Sequence, residues 1–170
     1  MKKIIKRIRK SVYSPAKYAI FVGVKIGKNC RIRTKEFGSE PYLIVIGDNT
    51  VVAANVKFYN HGAAAILRHI DPNADFFGKI NIGSNVYIGS NCLIMPGVSI
   101  GDNAIVAAGS VVTKSIEGGK IVGGNPAKVI GTRENFIERN LPFNLGIKNL
   151  SEKDKREFLL SLDDDKFIKK

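Results

Sequence analysis

The chain has 170 residues, enough for one domain with a real core and too few for two comfortable ones. Its apolar share of 44 % argues against disorder. Two cysteines, Cys30 and Cys92, and two histidines, His61 and His69, give neither a disulfide framework nor zinc-ligand spacing, so no metal is expected. The formal charge is +12, and residues 1–35 hold twelve Lys and Arg with no acid, which leaves the remainder balanced and fits a basic arm to an anionic surface.

The opening "MKKIIKRIRK" places Ile4, Ile5 and Ile8 on one helical stripe with cations elsewhere, a short basic amphipathic helix. Two placements suit it: resting on an anionic membrane surface, or, more ordinarily, packing its isoleucines on the end of the fold. The segment fails as a signal peptide, because charges interrupt the apolar residues through Lys10 and "YAIFVGV" is short and lacks a cleavage site. No run reaches the roughly 18 apolar residues of a membrane span, so the reading is cytoplasmic.

A six-residue rhythm follows. Aliphatic residues stand at Ile82, Ile88, Ile94, Ile100, Val106 and Val112, with Val86, Cys92, Val98, Ala104 and Ser110 four places after the first five of them. Glycine follows several of them directly, at Gly83, Gly89 and Gly101, and the phase appears earlier at Ile26, Ile32, Ile46, Val52 and Phe58. Neither a helical period nor strict alternation gives this spacing, whereas a parallel β-helix does: three six-residue units close one triangular coil. The aliphatic residue points inward and stacks on its counterpart one coil away, about 4.8 Å along the axis. The glycines are expected to supply corner dihedrals that other residues resist. Cys30, Cys92 and Ser110 occupy the small inward slot, which makes them core fillers; no GxSxG, P-loop or GxGxxG is present.

Between Phe58 and Ile82 the rhythm loses its order. Ala64, Ile70 and Phe76 keep the phase and leave a further coil open, but Arg68 falls in an inward small slot and Asp71 and Pro72 follow. That cluster favours a loop over residues 59–79 thrown out from the coil, and it contains both histidines. Beyond Gly131 the repeat ends. "TRENFIERN" and "SEKDKREFLLSL" read as helices, the second with Ser151 and Asp154 as a weak capping box and a stripe of Phe158, Leu159 and Leu162. The divisions are therefore 1–23 (basic arm), 24–131 (β-helix) and 132–170 (helical extension).

"FGSEPYLIVIGDNTVVAANVKFYNHG", the repeats from Gly78 to Ile116 and "VGGNPAKVIG" resemble the hexapeptide-repeat acyltransferases, in particular the sugar and polysaccharide O-acetyltransferases of the maltose and galactoside acetyltransferase-like group. The resemblance implies a left-handed β-helix, an exception to the usual right-handed crossover. It implies a homotrimer with acetyl-CoA bound in a groove between subunits, and a histidine at the start of a loop acting as catalytic base. His61 takes that position, with Gly62 where many relatives carry an acid; Glu40, Asp71 and Asp75 are candidates to orient it. His69 is read as a loop residue without a catalytic role. Carried over residue by residue, coenzyme contacts fall on Ser90, Ala108, Thr113, Lys114, Asn125, Pro126 and Lys128, with Gly131 where the family often has a base and Arg133 as a substitute.

The chemistry agrees with this: acetyl transfer to a hydroxyl needs a base, and an imidazole of unperturbed pKa about 6.5 serves at neutral pH. The expected function is acetyl-CoA-dependent O-acetylation of a sugar in surface polysaccharide biosynthesis. N-acetylation of an amino sugar, often nucleotide-linked, is the nearest variant. A non-catalytic basic module for anionic glycan or nucleic acid is the alternative of a different class, although no nucleic-acid-binding motif is present. A zinc lyase on the same fold would need a third histidine.

Overall fold

Each repeat unit folds as a short strand and a corner in the computed structural model, which describes residues 2–169. In chain order the strands are β1 (Lys25–Ile26), β2 (Arg31–Ile32), β3 (Ile44–Ile46), β4 (Val51–Val52), β5 (Lys57–Phe58), β6 (Ile80–Ile82) and β7 (Tyr87–Ile88). Then come β8 (Leu93–Ile94), β9 (Ser99–Ile100), β10 (Ile105–Val106), β11 (Val111–Val112), β12 (Lys120–Gly123) and β13 (Lys128–Thr132). They form three parallel faces: β1-β3-β6-β9; β2-β4-β7-β10-β12; and β5-β8-β11. Among the strands of the described residues only β13 runs antiparallel, folding back on β12. Ile82 pairs with Ile100, Ile88 with Val106 and Ile94 with Val112, so three repeat units make one coil.

The rhythmic aliphatic residues fill the prism. Ile46, Val52, Phe58, Ile82, Ile88, Ile94, Ile100, Val106 and Val112 are all buried, each worth about 1.5–3 kcal/mol of transfer free energy. Val56, Val86, Val98, Ala104 and Ser110 are buried in the small slots, where the Ser110 hydroxyl donates to the Ala107 carbonyl at 2.6 Å. Cys92 is fully buried and Cys30 half-buried against the same core. Burial pushes the Cys92 thiol above its ordinary pKa.

The glycine expectation needs correcting. Gly83, Gly89 and Gly101 do not hold the left-handed conformation; they are glycine because the next coil lies on top of them. A Cβ on Gly89 would sit 2.5 Å from the Ala108 nitrogen, and one on Gly101 2.4 Å from the Gly118 nitrogen. Positive φ falls two residues later, on Asn85, Asn91 and Asn103 at 56° to 62°, and Gly97 and Gly109 take the equivalent corners. Asparagine tolerates this region better than other residues with a Cβ.

Between the first and second faces the corners are also laced by side chains. Asp48 Oδ1 accepts from the Lys28 amide at 2.7 Å, Ser84 Oγ from the Asp48 amide at 3.1 Å, and Asp102 Oδ1 from the Ser84 amide at 2.7 Å.

No further coil is inserted between Phe58 and Ile82. β3 pairs directly with β6 and β5 with β8, so the intervening residues leave the prism and return to it. The excursion closes like an antiparallel ladder: the Gly62 amide donates to Phe76 O at 2.8 Å and the Gly78 amide to Asn60 O at 3.0 Å, with His61 bridged to Phe77 between them.

At the N-terminal end the structure differs from the more ordinary expectation. The basic helix α1 (Lys2–Val12) leaves Ile4, Ile5 and Ile8 exposed. The end of the prism is plugged instead by α2 (Pro15–Val22), whose Tyr18 and Ala19 are buried in the core. Ser14 caps that helix, accepting from the Lys17 amide at 3.4 Å, and Gly23 ends it at φ 106°.

The chain divides into two compact units, with the boundary between Arg133 and Glu134. The second unit holds most of α3 (Arg133–Asn140) and all of α4 (Glu152–Leu160). The Ser151 hydroxyl accepts from the Asp154 amide at 3.2 Å and donates to its carboxylate at 2.7 Å, the capping arrangement legible in the sequence.

Candidate active site

His61 stands where the chain leaves the third face, at the first step of the loop ladder. The backbone pairing with Phe77 fixes its Cα, and the Phe77 ring meets the imidazole edge-on at 5.0 Å between centroids. Two carboxylates face the two ring nitrogens. Asp75 Oδ1 lies 3.1 Å from Nε2 and Glu40 Oε2 lies 3.7 Å from Nδ1. Nδ1 is buried and makes no hydrogen bond among the described residues. Of the three acids named from sequence, Asp71 is spent elsewhere, its Oδ1 accepting from the Asn73 amide at 2.9 Å. His69 is exposed on the loop.

Glu40 is held by a residue that the sequence reading missed. Asn60 is fully buried. Its Nδ2 donates to Glu40 O at 2.6 Å and to Phe37 O at 3.4 Å, while its Oδ1 accepts from the Glu40 amide at 3.2 Å. Asn60 thus clamps both backbone groups of Glu40, and Ser39 Oγ donates to Glu40 Oε2 at 2.5 Å. Nothing local announces this, because the partner lies twenty residues upstream in the previous coil.

The two carboxylates differ in their surroundings. The Glu40 side chain is 16 % exposed, whereas Asp75 and His61 are each 37 % exposed. The buried side of the ring is therefore backed by Glu40, and the solvent side opens past Asp75. Asp75 also borders a cavity of 320 Å³ within the loop, lined by Leu67, Ile70 and Phe76 among others.

The other residues named from sequence fall in two columns on two edges of the prism. Thr113 and Lys114 follow β11, on the edge that carries His61, two coils higher and so about 10 Å along the axis. Ser90 and Ala108 stack on the neighbouring edge, where the Gly109 amide donates to Ser90 O at 2.8 Å. Asn125 and Pro126 form the exposed turn between β12 and β13 on that same edge, with Gly124 O accepting from the Val111 amide at 3.0 Å and Lys128 opening β13. One prism face separates the columns. Within a single chain, then, His61 is not brought together with Ser90, Ala108, Asn125 or Pro126.

The second edge is chemically distinct. At the edge between the first and second faces, which carries neither column, side chains cap the amides of Lys28, Asp48 and Ser84. On the Ser90 edge the corresponding amides of Ser90 and Ala108 make no hydrogen bond among the described residues. They form a ladder of donors about 4.8 Å apart. Lys114 also lines a cavity of 290 Å³ with Lys120, Ala127 and Val129 at the last coil.

Comparison with known proteins agrees with this architecture. Residues 79–114 match the family model described as bacterial transferase hexapeptide (six repeats). Protein CapG of Staphylococcus aureus is 42 % identical over 165 residues, covering 95 % of each chain. The galactoside O-acetyltransferase of Escherichia coli K12 is 35 % identical over 120 residues, 70 % of this chain and 59 % of that one. A solved galactoside acetyltransferase in complex with coenzyme A superposes with a TM-score of 0.57 at 26 % identity, covering 78 % of this chain and 83 % of the other. These likenesses carry the fold, a left-handed parallel β-helix, and with it the identity: the chain is a member of the hexapeptide-repeat acetyltransferase family.

Proposed function

We propose that this enzyme moves an acetyl group from acetyl-CoA to a hydroxyl of a sugar used in building a surface polysaccharide, with His61 as general base. The observation that carries the reading is the imidazole held between two carboxylates, one mostly shielded and one open to solvent, at the mouth of the only long excursion from the prism among the described residues. The names of the relatives support the donor and acceptor classes: a galactoside O-acetyltransferase, its coenzyme A complex, and a protein named CapG.

When bound, acetyl-CoA supplies a thioester carbonyl activated towards attack. Glu40 backs Nδ1 and orients the ring, which leaves Nε2 to act. Asp75 stands where the acceptor hydroxyl approaches, and its exposure lets it turn aside for the sugar. Nε2 takes the hydroxyl proton as the oxygen attacks the carbonyl carbon, and returns it to sulfur as the carbon–sulfur bond breaks. No bond to the enzyme forms, and general-base assistance of this kind is worth about 10²–10⁴-fold. Phe76 and Phe77, both about half exposed beside His61, offer apolar faces for the C–H side of a sugar ring.

The residues present suit the coenzyme. The free amides of Ser90 and Ala108 match the carbonyls of a pantetheine arm, and Lys114 and Lys128 are cations for its phosphates, with Thr113, Asn125 and Pro126 beside them. Because these groups lie on two edges, a complete site needs the His61 edge of one chain against the Ser90 edge of another, as in a homotrimer with three equal grooves. We place the enzyme in the cytoplasm, where acetyl-CoA is available.

The test is coenzyme release from acetyl-CoA against a panel of sugars, nucleotide-sugars and glycan fragments, with the product's linkage read by NMR. Ester formation on a sugar supports the reading. Amide formation assigns an amino-sugar acceptor instead, and no turnover without acetyl-CoA binding overturns the enzyme assignment in favour of a basic binding module.

A further inference from the structure

Helix α1 is turned the wrong way round for the surface of a soluble domain. Its cationic side faces the body of the protein: Lys10 Nζ meets Glu36 Oε1 at 2.6 Å, Lys35 Nζ donates to Lys10 O at 2.6 Å, and the Arg9 guanidinium lies 4.3 Å from the centre of the Phe21 ring. Lys6, Arg7 and Lys10 also border a cavity of 450 Å³ shared with Lys35 and Phe37. The apolar stripe points outward instead, with Ile4 65 %, Ile8 57 % and Val12 75 % exposed. Ile20 and Phe21 of α2 are exposed too, and Phe21 lines a groove of 290 Å³ with Ile5. Exposed apolar surface of this extent, held in one orientation by polar anchors, marks an interaction face.

We infer that this face lies on an anionic lipid bilayer. Charge selects the occupant. Residues 1–35 contain twelve cations and no acid. Lys25, Lys28, Arg31 and Arg33 are exposed on the first coil, the same end of the prism that carries α1. A second copy seated there would bring the same positive field and be repelled, whereas a negatively charged membrane surface attracts each Lys or Arg within reach. A short helix that turns an apolar stripe outward, beside the exposed cations of the first coil, is a form that settles in the interface plane. The inference does not rest on the acetyl-transfer reading; if both hold, the site works beside a membrane on acceptors presented there.

The experiment is sedimentation of the full-length protein with sucrose-loaded vesicles of phosphatidylcholine alone, or with about one third phosphatidylglycerol. The expected result is binding to the anionic vesicles at low salt, much weaker binding to the neutral ones, and decline towards about 0.5 M salt. The double variant Ile4→Asn/Ile8→Asn, at exposed sites and with Tm unchanged, should bind at least about tenfold more weakly. Retained binding in that variant would overturn the inference by showing that diffuse charge alone attracts the protein. Absence of wild-type binding would overturn it too, and a drop in oligomer mass of the variant by light scattering would then assign the face to a second copy.

Discussion

Replacing Asn60 by Ala tests how the site is assembled. The side chain is fully buried and makes three hydrogen bonds, two to the backbone of Glu40 and one to the carbonyl of Phe37. Alanine removes all of them and strands the Glu40 amide and carbonyl where water reaches poorly. Each stranded group costs about 1–3 kcal/mol, so a loss of about 3 kcal/mol is reasonable. For a chain of this size that lowers Tm by about 6–12 °C, measured by circular dichroism at fixed protomer concentration. With its clamp gone Glu40 no longer backs Nδ1, and kcat should fall about tenfold or more while the KM for acetyl-CoA stays within about twofold. Asn60→Asp keeps an acceptor for the Glu40 amide but turns a carboxylate towards two carbonyls, so it should be no milder. A Tm within about 2 °C of wild type would refute the clamp. A lowered Tm with unchanged kcat would refute the role given to Glu40.

Two glycine positions with different physics should differ in how much a substitution costs. Gly89→Ala forces a methyl to within 2.5 Å of the Ala108 nitrogen and should cost at least about 2 kcal/mol in urea unfolding. Gly97→Asn, at φ 81° with open space around it, should cost under about 1 kcal/mol, since asparagine already fills this corner elsewhere. Cys92, buried and with its thiol pushed above the ordinary pKa, should stay unreactive to a disulfide reagent at pH 8 until the protein unfolds. Fast native labelling at Cys92 would contradict its place in the core.

The coil was legible because its determinants are local and periodic: an aliphatic residue every sixth position leaves few ways to bury them all. The loop was legible from Arg68, Asp71 and Pro72 breaking that order, and direct pairing of Phe58 with Ile94 shows where the chain rejoins. The reason for glycine was misread, since close approach of the next coil is a long-range fact while asparagine in the left-handed corner is a local one. The direction in which α1 faces was not legible either. Periodicity finds an apolar stripe but not what it meets, and here α2 had already closed the prism with Tyr18 and Ala19. His61 could be proposed as the base only through the family resemblance, which places a histidine just after a coil. Its surroundings depend on Glu40 in the preceding coil and Asp75 across the loop, contacts that spacing alone does not encode.

His61→Ala, with acetyl-CoA affinity measured by calorimetry beside turnover on the best acceptor, decides whether His61 is the base. If it is, kcat falls by about 10²–10⁴ while the Kd for acetyl-CoA changes little. Wild-type turnover in the variant would contradict it.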